Sequence, residues 1–337
     1  MLDVRRLRLL RELARRGTIA AVAEALAFSP SAVSQQLSVL EREAGLPLLE
    51  RTGRRVRLTP AGQHLVGHAE AVLERLERAE ADLAEARDGL AGALRVGAFP
   101  SATRAIVPAA LVTLARRHPA LEAMVSETDP AAVAHALRAG DLDVALVHEY
   151  DFVPAPVEPG LETEPLCREA MYLAEPTPPP GSAAPDLALG QGVALRAHRD
   201  APWITATPGT LCHAMTVRAC QAAGFSPRER HRVDEFATVL ALVAAGQGVA
   251  VVPQLGVAGS AAPVGEAGEA GEAGGPSVPG VRLTRLPMER RTKIAFRSGA
   301  AAHPAVAAFA AALREAVPPE LAPSSPPKPT PSPRPET

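Results

Sequence analysis

Aromatic residues are scarce in this chain: phenylalanine, tryptophan and tyrosine together make up 3% of its 337 residues. A core must therefore be packed mainly with alanine, valine and leucine, and 47% hydrophobic residues are enough to build one. No run approaches the roughly 20 uncharged apolar residues that a membrane span needs, so we predict no membrane partner. The chain is too long for one ordinary domain and fits two or three.

Cysteine is also rare, since Cys167, Cys212 and Cys220 are the only three. Their odd, low number argues against a disulfide framework and favours a reducing cytoplasm. Residues 1–16 carry six arginines and no uninterrupted apolar stretch, so we expect no signal peptide. The nine histidines show no metal-ligand spacing, and the pair His64 and His68 has no completing ligand, so we predict neither a metal nor a cofactor.

Charge is unevenly distributed along the chain. The net charge of −2 is the sum of +5 over residues 1–65 and −7 over the remainder. A basic end on an acidic protein indicates that this end contacts a polyanion.

The first 45 residues predict three short helices, over 2–16, 19–27 and 31–43, from apolar spacing, caps and breakers. Two short helices joined by a tight turn form a helix-turn-helix. On the third helix an apolar stripe lies opposite Ser31, Gln35, Ser38 and Arg42, whose side chains can hydrogen-bond to base edges and phosphates. This face alone is equally typical of any surface helix.

A basic hairpin follows over residues 49–58 and turns at Thr52-Gly53. Arginines alternate with Val56 and Leu58, so one face is basic and can contact phosphates or the minor groove. Helix and hairpin together predict DNA binding. The predicted DNA-binding residues are Thr18, Ser29, Ser31, Ala32, Ser34, Gln35, Ser38, Arg42, Arg51, Arg54 and Arg55.

This region resembles the LysR-type transcriptional regulator family, closely over residues 2–90 and more loosely beyond. The resemblance is carried by Ser29-Pro30-Ser31-Ala32-Val33-Ser34-Gln35-Gln36-Leu37, Leu40-Glu41, Gly45, Leu48, Glu50-Arg51 and Leu58-Thr59-Pro60-Ala61-Gly62. Leu49 and Ala44 depart from the family's usual Phe and Leu, which are apolar exchanges in a core. The resemblance implies an all-α winged helix-turn-helix, a linker helix and an α/β effector domain. It also implies double-stranded DNA with a two-half-site operator, a small-molecule effector, a homodimer or homotetramer and RNA polymerase as partners.

Residues 60–90 predict one long helix with a heptad seam. A helix of roughly 30 residues spans about 45 Å, which is too long for a small domain to cover, so we predict pairing with a second copy. Packing on its own domain is the alternative. A dimer would present two recognition helices to a symmetric operator. The predicted dimerisation residues are Leu65, Ala69, Val72, Leu76, Ala79 and Leu83.

From Leu90 onward, strands and helices alternate in a βαβαβ order that predicts a parallel sheet, and a second α/β unit follows. Two such units resemble the LysR effector domain, which consists of two Rossmann-like subdomains and is similar to periplasmic solute-binding proteins. The expected division is a DNA-binding domain over 1–59, a linker helix over 60–90 and an effector domain over 91–317. Within the last, subdomain I covers about 91–165 and 283–317, subdomain II covers about 166–262, and a mobile Gly/Glu/Ala loop covers 263–280; a disordered Pro-rich tail covers 318–337.

Ligands of open α/β sheets bind outside the carboxyl ends of the strands. Ser101 and Ala102 open a predicted helix, which favours an anionic group such as a carboxylate. Taken singly, each residue fits a capping or turn role equally well. The predicted effector-binding residues are Phe99, Pro100, Ser101, Ala102, Thr128, His148, Thr205 and Thr207.

The sequence bears on three other functions: redox sensing, solute binding and catalysis. Cys212 and Cys220 are eight residues apart, and some LysR-type regulators sense peroxide through a cysteine pair here, so redox sensing is one alternative to two inert thiols. A solute-binding protein would explain the second half but not residues 1–60. No catalytic triad, phosphate loop or dinucleotide fingerprint is present, so no catalytic residue and no enzyme is predicted.

Overall fold

The computed structural model describes residues 1–52, 55–85, 90–154, 158–178, 194–258 and 277–321. Most of the predicted Gly/Glu/Ala loop, and the predicted tail beyond Leu321, lie outside these residues. We call the part from α1 to β2 (residues 4–58) the head, and the part from β3 onward (residues 91–321) the body.

Three capped helices form the first part of the head: α1 (Val4–Arg16), α2 (Ile19–Ala25) and α3 (Pro30–Ala44). Asp3 caps α1, Thr18 caps α2 and Ser29 caps α3, each accepting a hydrogen bond from a backbone N–H of the first turn. The bounds agree with the sequence prediction to within two residues. Helix α2 ends earlier than predicted because Ala27 adopts a left-handed backbone with φ of 53°.

The predicted hairpin and long helix are both present. β1 (Leu49–Thr52) pairs antiparallel with β2 (Arg55–Leu58), and α4 (Pro60–Glu85) follows. The head core contains Leu10, Val22, Leu37 and Leu40, and Ala69 of α4 packs into it. We call the hairpin of β1 and β2 the wing. Its start is held against α3 because Glu41 Oε1 accepts hydrogen bonds from the backbone N–H groups of Leu48 (2.9 Å) and Leu49 (3.0 Å). None of the helices among the described residues is long and apolar enough to cross a membrane.

The body begins with the predicted parallel unit: β3 (Ala91–Ala98), α5 (Pro100–Ala105), α6 (Val107–Arg117), β4 (Ala120–Glu127), α7 (Pro130–Ala139) and β5 (Val144–Tyr150). The residue pattern predicts one helix from Ser101 to Arg117. This prediction is wrong, since the segment breaks into α5 and α6 at Ile106. Pro108 has no N–H to continue the helix and restricts the residue before it, which accounts for the break.

Two long antiparallel strands, β6 (Leu161–Pro176) and β10 (Val281–Arg297), connect the two halves of the body. The residue pattern predicts two short strands in place of each, near 161–166 and 171–174 and at 281–286 and 292–297, which is wrong. The main sheet has the order β4-β3-β5-β10-β6-β9. β10 pairs with β5 through its C-terminal half and only with β6 through its N-terminal half, so both subdomains share one sheet.

The second half contains β7 (Pro202–Thr205), α8 (Leu211–Ala222), β8 (Arg228–Arg232), α9 (Phe236–Ala244), β9 (Ala250–Pro253) and α10 (Gln254–Ala258). β8, which pairs parallel with β7, was not predicted because its five residues, RERHR, contain no apolar alternation. Helix α11 (Pro304–Ala316) returns to pack on α6. We call the half with β3 to β5 subdomain I, and the half with β7 to β9 subdomain II.

Candidate nucleic-acid interface and interdomain cleft

Helix α3 presents an exposed polar face from a firmly packed position. Val33, Leu37 and Leu40 are each at most 1% exposed, so the helix cannot rotate without exposing its anchors. The predicted residues Ser31, Gln35, Ser38 and Arg42 are all exposed on it, and Ala32 and Ser34 are half-buried. Such a face can contact base edges in a major groove.

Two of the predicted contact residues have local structural roles as well. Thr18 Oγ1 accepts a hydrogen bond from Ala21 N (3.2 Å), and Ser29 Oγ accepts one from Ala32 N (3.2 Å). Ser29 Oγ also lies 3.0 Å from Ser31 Oγ. Both caps are exposed, so helix capping leaves their hydroxyl groups at the surface.

The hairpin beside α3 has an apolar inner face, because Val56 and Leu58 pack against the head core while Arg57 is exposed. Arg54 and the side chains of Arg51 and Arg55 lie outside what the structure describes. The predicted basic face of this wing therefore stays a prediction for those three residues.

The six residues of the predicted dimer seam, all on α4, fall into a buried group and an exposed group. Ala69 is fully buried and Leu65 partly buried in the head core of the same chain, because α4 packs across α1. Leu65 and Ala69 therefore pack within their own chain, whereas the sequence predicts that they contact a second copy. Further along, Val72, Leu76, Ala79 and Leu83 are exposed, and Leu83 retains 67% of its accessible surface.

The second site lies where β6 and β10 pass between the two subdomains. Among the residues predicted to bind effector, Phe99, Ser101, Ala102, His148 and Thr205 are at most 4% exposed. Pro100 and Thr207 are exposed and Thr128 is half-buried. The predicted set thus divides into a buried group and three residues nearer the surface.

Arg290 of β10, which the sequence analysis missed, lies at the centre of the buried group. Its Nε donates to Glu169 Oε1 (2.6 Å) and its Nη2 donates to Ser101 Oγ (2.9 Å). The guanidinium carbon lies 4.9 Å from the centroid of the Phe99 ring, within the range of a cation–π contact. Burial is the largest single influence and lowers the pKa of Arg290, but the charge and hydrogen bond of Glu169, together with Tyr150 and Cys212, outweigh burial and raise the pKa above its ordinary value.

Glu169 also holds the start of α10, since its Oε2 accepts a hydrogen bond from the backbone N–H of Leu255 (2.7 Å). The pairing register aligns Glu169, Arg290 and Tyr150 on one rung across β6, β10 and β5. The next rung on the same face of the sheet, two residues along, consists of Cys167, Thr292 and His148. Ser101 Oγ accepts the hydrogen bond from Arg290, and the anion site predicted at this helix end stays a prediction.

His148 lies between two aromatic rings, with centroid distances of 4.6 Å to Phe99 and 5.1 Å to Tyr150. Burial and, secondarily, the charge of Arg290 keep its pKa well below the ordinary value, so the imidazole is neutral. Among the described residues, neither ring nitrogen has a hydrogen-bond partner, and neither does Thr205 Oγ1. Buried polar atoms without partners are costly, which makes them candidates for ligand contacts.

Cys212 of α8 reaches this cluster from subdomain II, and its Sγ lies 3.0 Å from the hydroxyl oxygen of Tyr150. Burial raises the pKa of the Cys212 thiol, and burial raises that of Cys220 to about 12. Eight residues of helix separate the two thiols by about 12 Å along the axis, beyond the reach of a disulfide. All three cysteines are free.

No group of three or more potential metal ligands occurs in the described ranges. The predicted pair of His64 and His68 lies exposed on α4.

Comparisons with known proteins agree for both halves of the chain. Residues 4–63 match the family described as bacterial regulatory helix-turn-helix protein, lysR family, and residues 87–318 match the LysR substrate binding domain. A probable hydrogen peroxide-inducible genes activator from Mycobacterium avium is 34% identical over 236 residues, covering 70% of this chain and 72% of the relative. The transcriptional dual regulator GltC of Bacillus subtilis is 26% identical and covers 75% and 81%. A solved cysteine mutant of Corynebacterium glutamicum OxyR has a TM-score of 0.53 and 26% identity, covering 94% and 92%.

Proposed function

Because the chain belongs to the LysR family of bacterial transcription regulators, we propose that α3 reads the base edges of an operator while a small molecule bound in the cleft controls that binding. The chain is a DNA-binding transcription regulator. The exposed polar face of α3, opposite its buried anchors, is the observation that supports base reading by this helix.

The roles of helix and wing are separable by mutation. Gln35→Ala removes a side chain that can hydrogen-bond a base and should relax sequence preference, whereas Arg55→Ala should lower affinity for all sequences and reduce the salt slope by about 1. Arg116→Ala, on the exposed surface of α6, is the matched control. Fluorescence anisotropy with genomic DNA fragments that the protein selects measures both the sequence preference and the salt dependence of the affinity. A uniform loss in Gln35→Ala, with preference unchanged, would refute this division, and no DNA affinity at low salt would refute the role of α3.

The proposed domain division follows the sequence prediction: residues 1–59 bind DNA, 60–90 link and dimerise, and 91–317 bind the effector. Exposed Val72, Leu76 and Leu83 support pairing of α4 with a second copy, as a homodimer or homotetramer. We propose that the protein acts in the cytoplasm on DNA and RNA polymerase and catalyses no reaction. Its family is one of regulators, which supports this.

The unpartnered His148 and Thr205 support a small hydrogen-bonding ligand in the cleft. Since Glu169 neutralises Arg290, an anion gains less there than the sequence suggested. A matched pair of an acid and its amide, such as benzoate and benzamide, distinguishes an anionic ligand from a neutral hydrogen-bonding ligand. The only tryptophan, Trp203, is fully buried in subdomain II, so its fluorescence reports binding. Thr205→Val should weaken any such response, and an unchanged response would exclude Thr205 from the site.

Cysteine-based redox sensing is a second candidate, supported by the names of the mycobacterial relatives and by the position of Cys212 beside Tyr150. Peroxide would oxidise the Cys212 thiol to a sulfenic acid with release of water, and condensation with Cys220 would release a second water and form a disulfide. Helix α8 must unwind for that pairing, and the raised thiol pKa disfavours the reactive thiolate. Mass spectrometry after peroxide treatment of the unmodified chain and of Cys212→Ser tests whether Cys212 is oxidised, and Cys167→Ser is the control. If the unmodified chain shows no oxidised form of Cys212, peroxide sensing through this thiol is excluded.

A further inference from the structure

A partly open cavity lies where the head, α4 and the body meet. This cavity has a volume of about 180 Å³, below the roughly 300–1,000 Å³ typical of drug-sized ligands. It shares no residue with the Arg290 cluster. Its lining includes Arg8 and Arg11 of the head, Arg138 and Arg297 of the body, and Glu70, Glu74 and Glu77 of α4.

The carboxylates facing this cavity are already paired with arginines. Glu70 Oε1 accepts a hydrogen bond from Arg15 (2.9 Å) and Glu77 Oε1 accepts one from Arg297 (2.6 Å), while Glu74 pairs with Arg78. They therefore leave little negative charge for the other lining arginines.

Around the cavity, arginines outnumber acids. Glu12, which is fully buried, serves three arginines of its own helix, at 3.2, 3.7 and 3.0 Å from Arg11, Arg15 and Arg16. The lining itself contains four arginines against three carboxylates, an excess of one positive charge: Arg8, Arg11, Arg138 and Arg297 against Glu70, Glu74 and Glu77.

Two of the lining arginines retain unused donors. The side chains of Arg11 and Arg138 are 10% and 9% exposed, and in the described part of the chain the Nε of each is buried without a hydrogen-bond partner. Burial and the charge of Arg15 lower the pKa of Arg11 to about 10, so its guanidinium stays charged at neutral pH. Buried like charges with unused donors are stabilised by an anion between them.

We propose that this cavity binds a phosphate-type oxyanion, either inorganic phosphate or the phosphate group of a small phosphomonoester. Arg8 and Arg11 belong to the head, and Arg138 and Arg297 to the body. Arg8 also donates a hydrogen bond to the backbone carbonyl of Arg138. An anion bound among these side chains would therefore join head and body, and stabilise the arrangement in which α1 packs against α7.

The test measures anion binding to the full chain by isothermal titration calorimetry, with potassium phosphate and glycerol 3-phosphate as probes and potassium chloride at equal ionic strength as reference. Arg11→Met removes one charged donor while keeping an unbranched side chain, and we expect affinity to fall about tenfold or more. Arg138→Met should cause a similar loss from the body side. Arg116→Met, on exposed α6, is the matched control and should bind as the unmodified chain does.

Glu70→Gln tests the same charge balance in the opposite direction. It removes the partner of Arg15 at a half-exposed position, so it should tighten anion binding several-fold in a protein that folds normally. If only potassium phosphate binds, the occupant is inorganic phosphate. If only glycerol 3-phosphate binds, the occupant is a phosphomonoester.

Absence of heat with both probes would overturn the proposal, as would equal affinity in all four variants, since salts of this kind also act on the whole surface. Loss in Arg11→Met without loss in Arg138→Met would overturn the bridging of head and body.

Discussion

The buried pair of Glu169 and Arg290 makes a quantitative prediction. Glu169→Gln keeps the size of the side chain but leaves a guanidinium that is 1% exposed without a counter-charge. Glutamine offers one carbonyl oxygen where glutamate serves two donors, Arg290 Nε and Leu255 N–H, so one donor must face an amide NH₂ group. Breaking a buried pair from one side costs about 3–5 kcal/mol.

The remaining contacts of Arg290 do not offset this loss, because Ser101 and Phe99 contact it equally before and after the substitution. Replacing both partners, as Glu169→Gln with Arg290→Met, removes the uncompensated charge and should recover part of the stability. The measurement is urea unfolding followed by circular dichroism and by Trp203 fluorescence, read as a change in midpoint at constant slope. A loss below about 1 kcal/mol in Glu169→Gln, or a double variant less stable than both singles, would refute the reasoning.

Three further predictions concern stability and assembly. His148 stays neutral in the folded protein, whereas in the unfolded chain it gains a proton below the ordinary pKa of 6.5. The free energy of unfolding should therefore fall by about 2 kcal/mol more between pH 7 and pH 5 in the unmodified chain than in His148→Gln. Equal pH slopes of the two proteins in urea unfolding would contradict this. Ala27→Gly relieves a left-handed alanine and should stabilise the head by about 0.5–1 kcal/mol; a lower melting temperature would exclude that strain. Leu76→Glu with Leu83→Glu should give monomers in sedimentation, and an intact dimer would count against the α4 seam.

Local patterns predicted the head well. Its helices have caps, such as Thr18 and Ser29, and apolar positions at regular spacing, and these features act within a few residues of each other. The family resemblance added the two-subdomain body. Phe99 and Ser101, chosen because they follow a strand end, both contact Arg290, while their role in effector binding stays a prediction.

The centre of the cleft could not be predicted in the same way. Glu169 and Arg290 read as surface charges that interrupt apolar strands, so β6 and β10 were each divided in two. Their burial is possible only because they pair with each other, 121 residues apart in the sequence. Cys212 likewise meets Tyr150 only through the fold. Arg168 and Glu169 stand side by side between Cys167 and Ala170, so the local pattern does not distinguish the buried charge from the exposed one.

The course of β10 has a mechanical consequence. The strand starts in subdomain II, passes through the cleft at Arg290 and ends at Arg297, whose Nε donates to Glu77 on α4. Seven residues of extended chain span about 23 Å, and ladders to β5 and β6 on either side resist stretching. The backbone of β10 therefore runs as one continuous strand from the cleft to the linker helix, with a register shift against β6 between Thr292 and Lys293 as its one irregularity beyond Arg290. A displacement of Arg290 along the strand would reach the contact with Glu77 without crossing a loop.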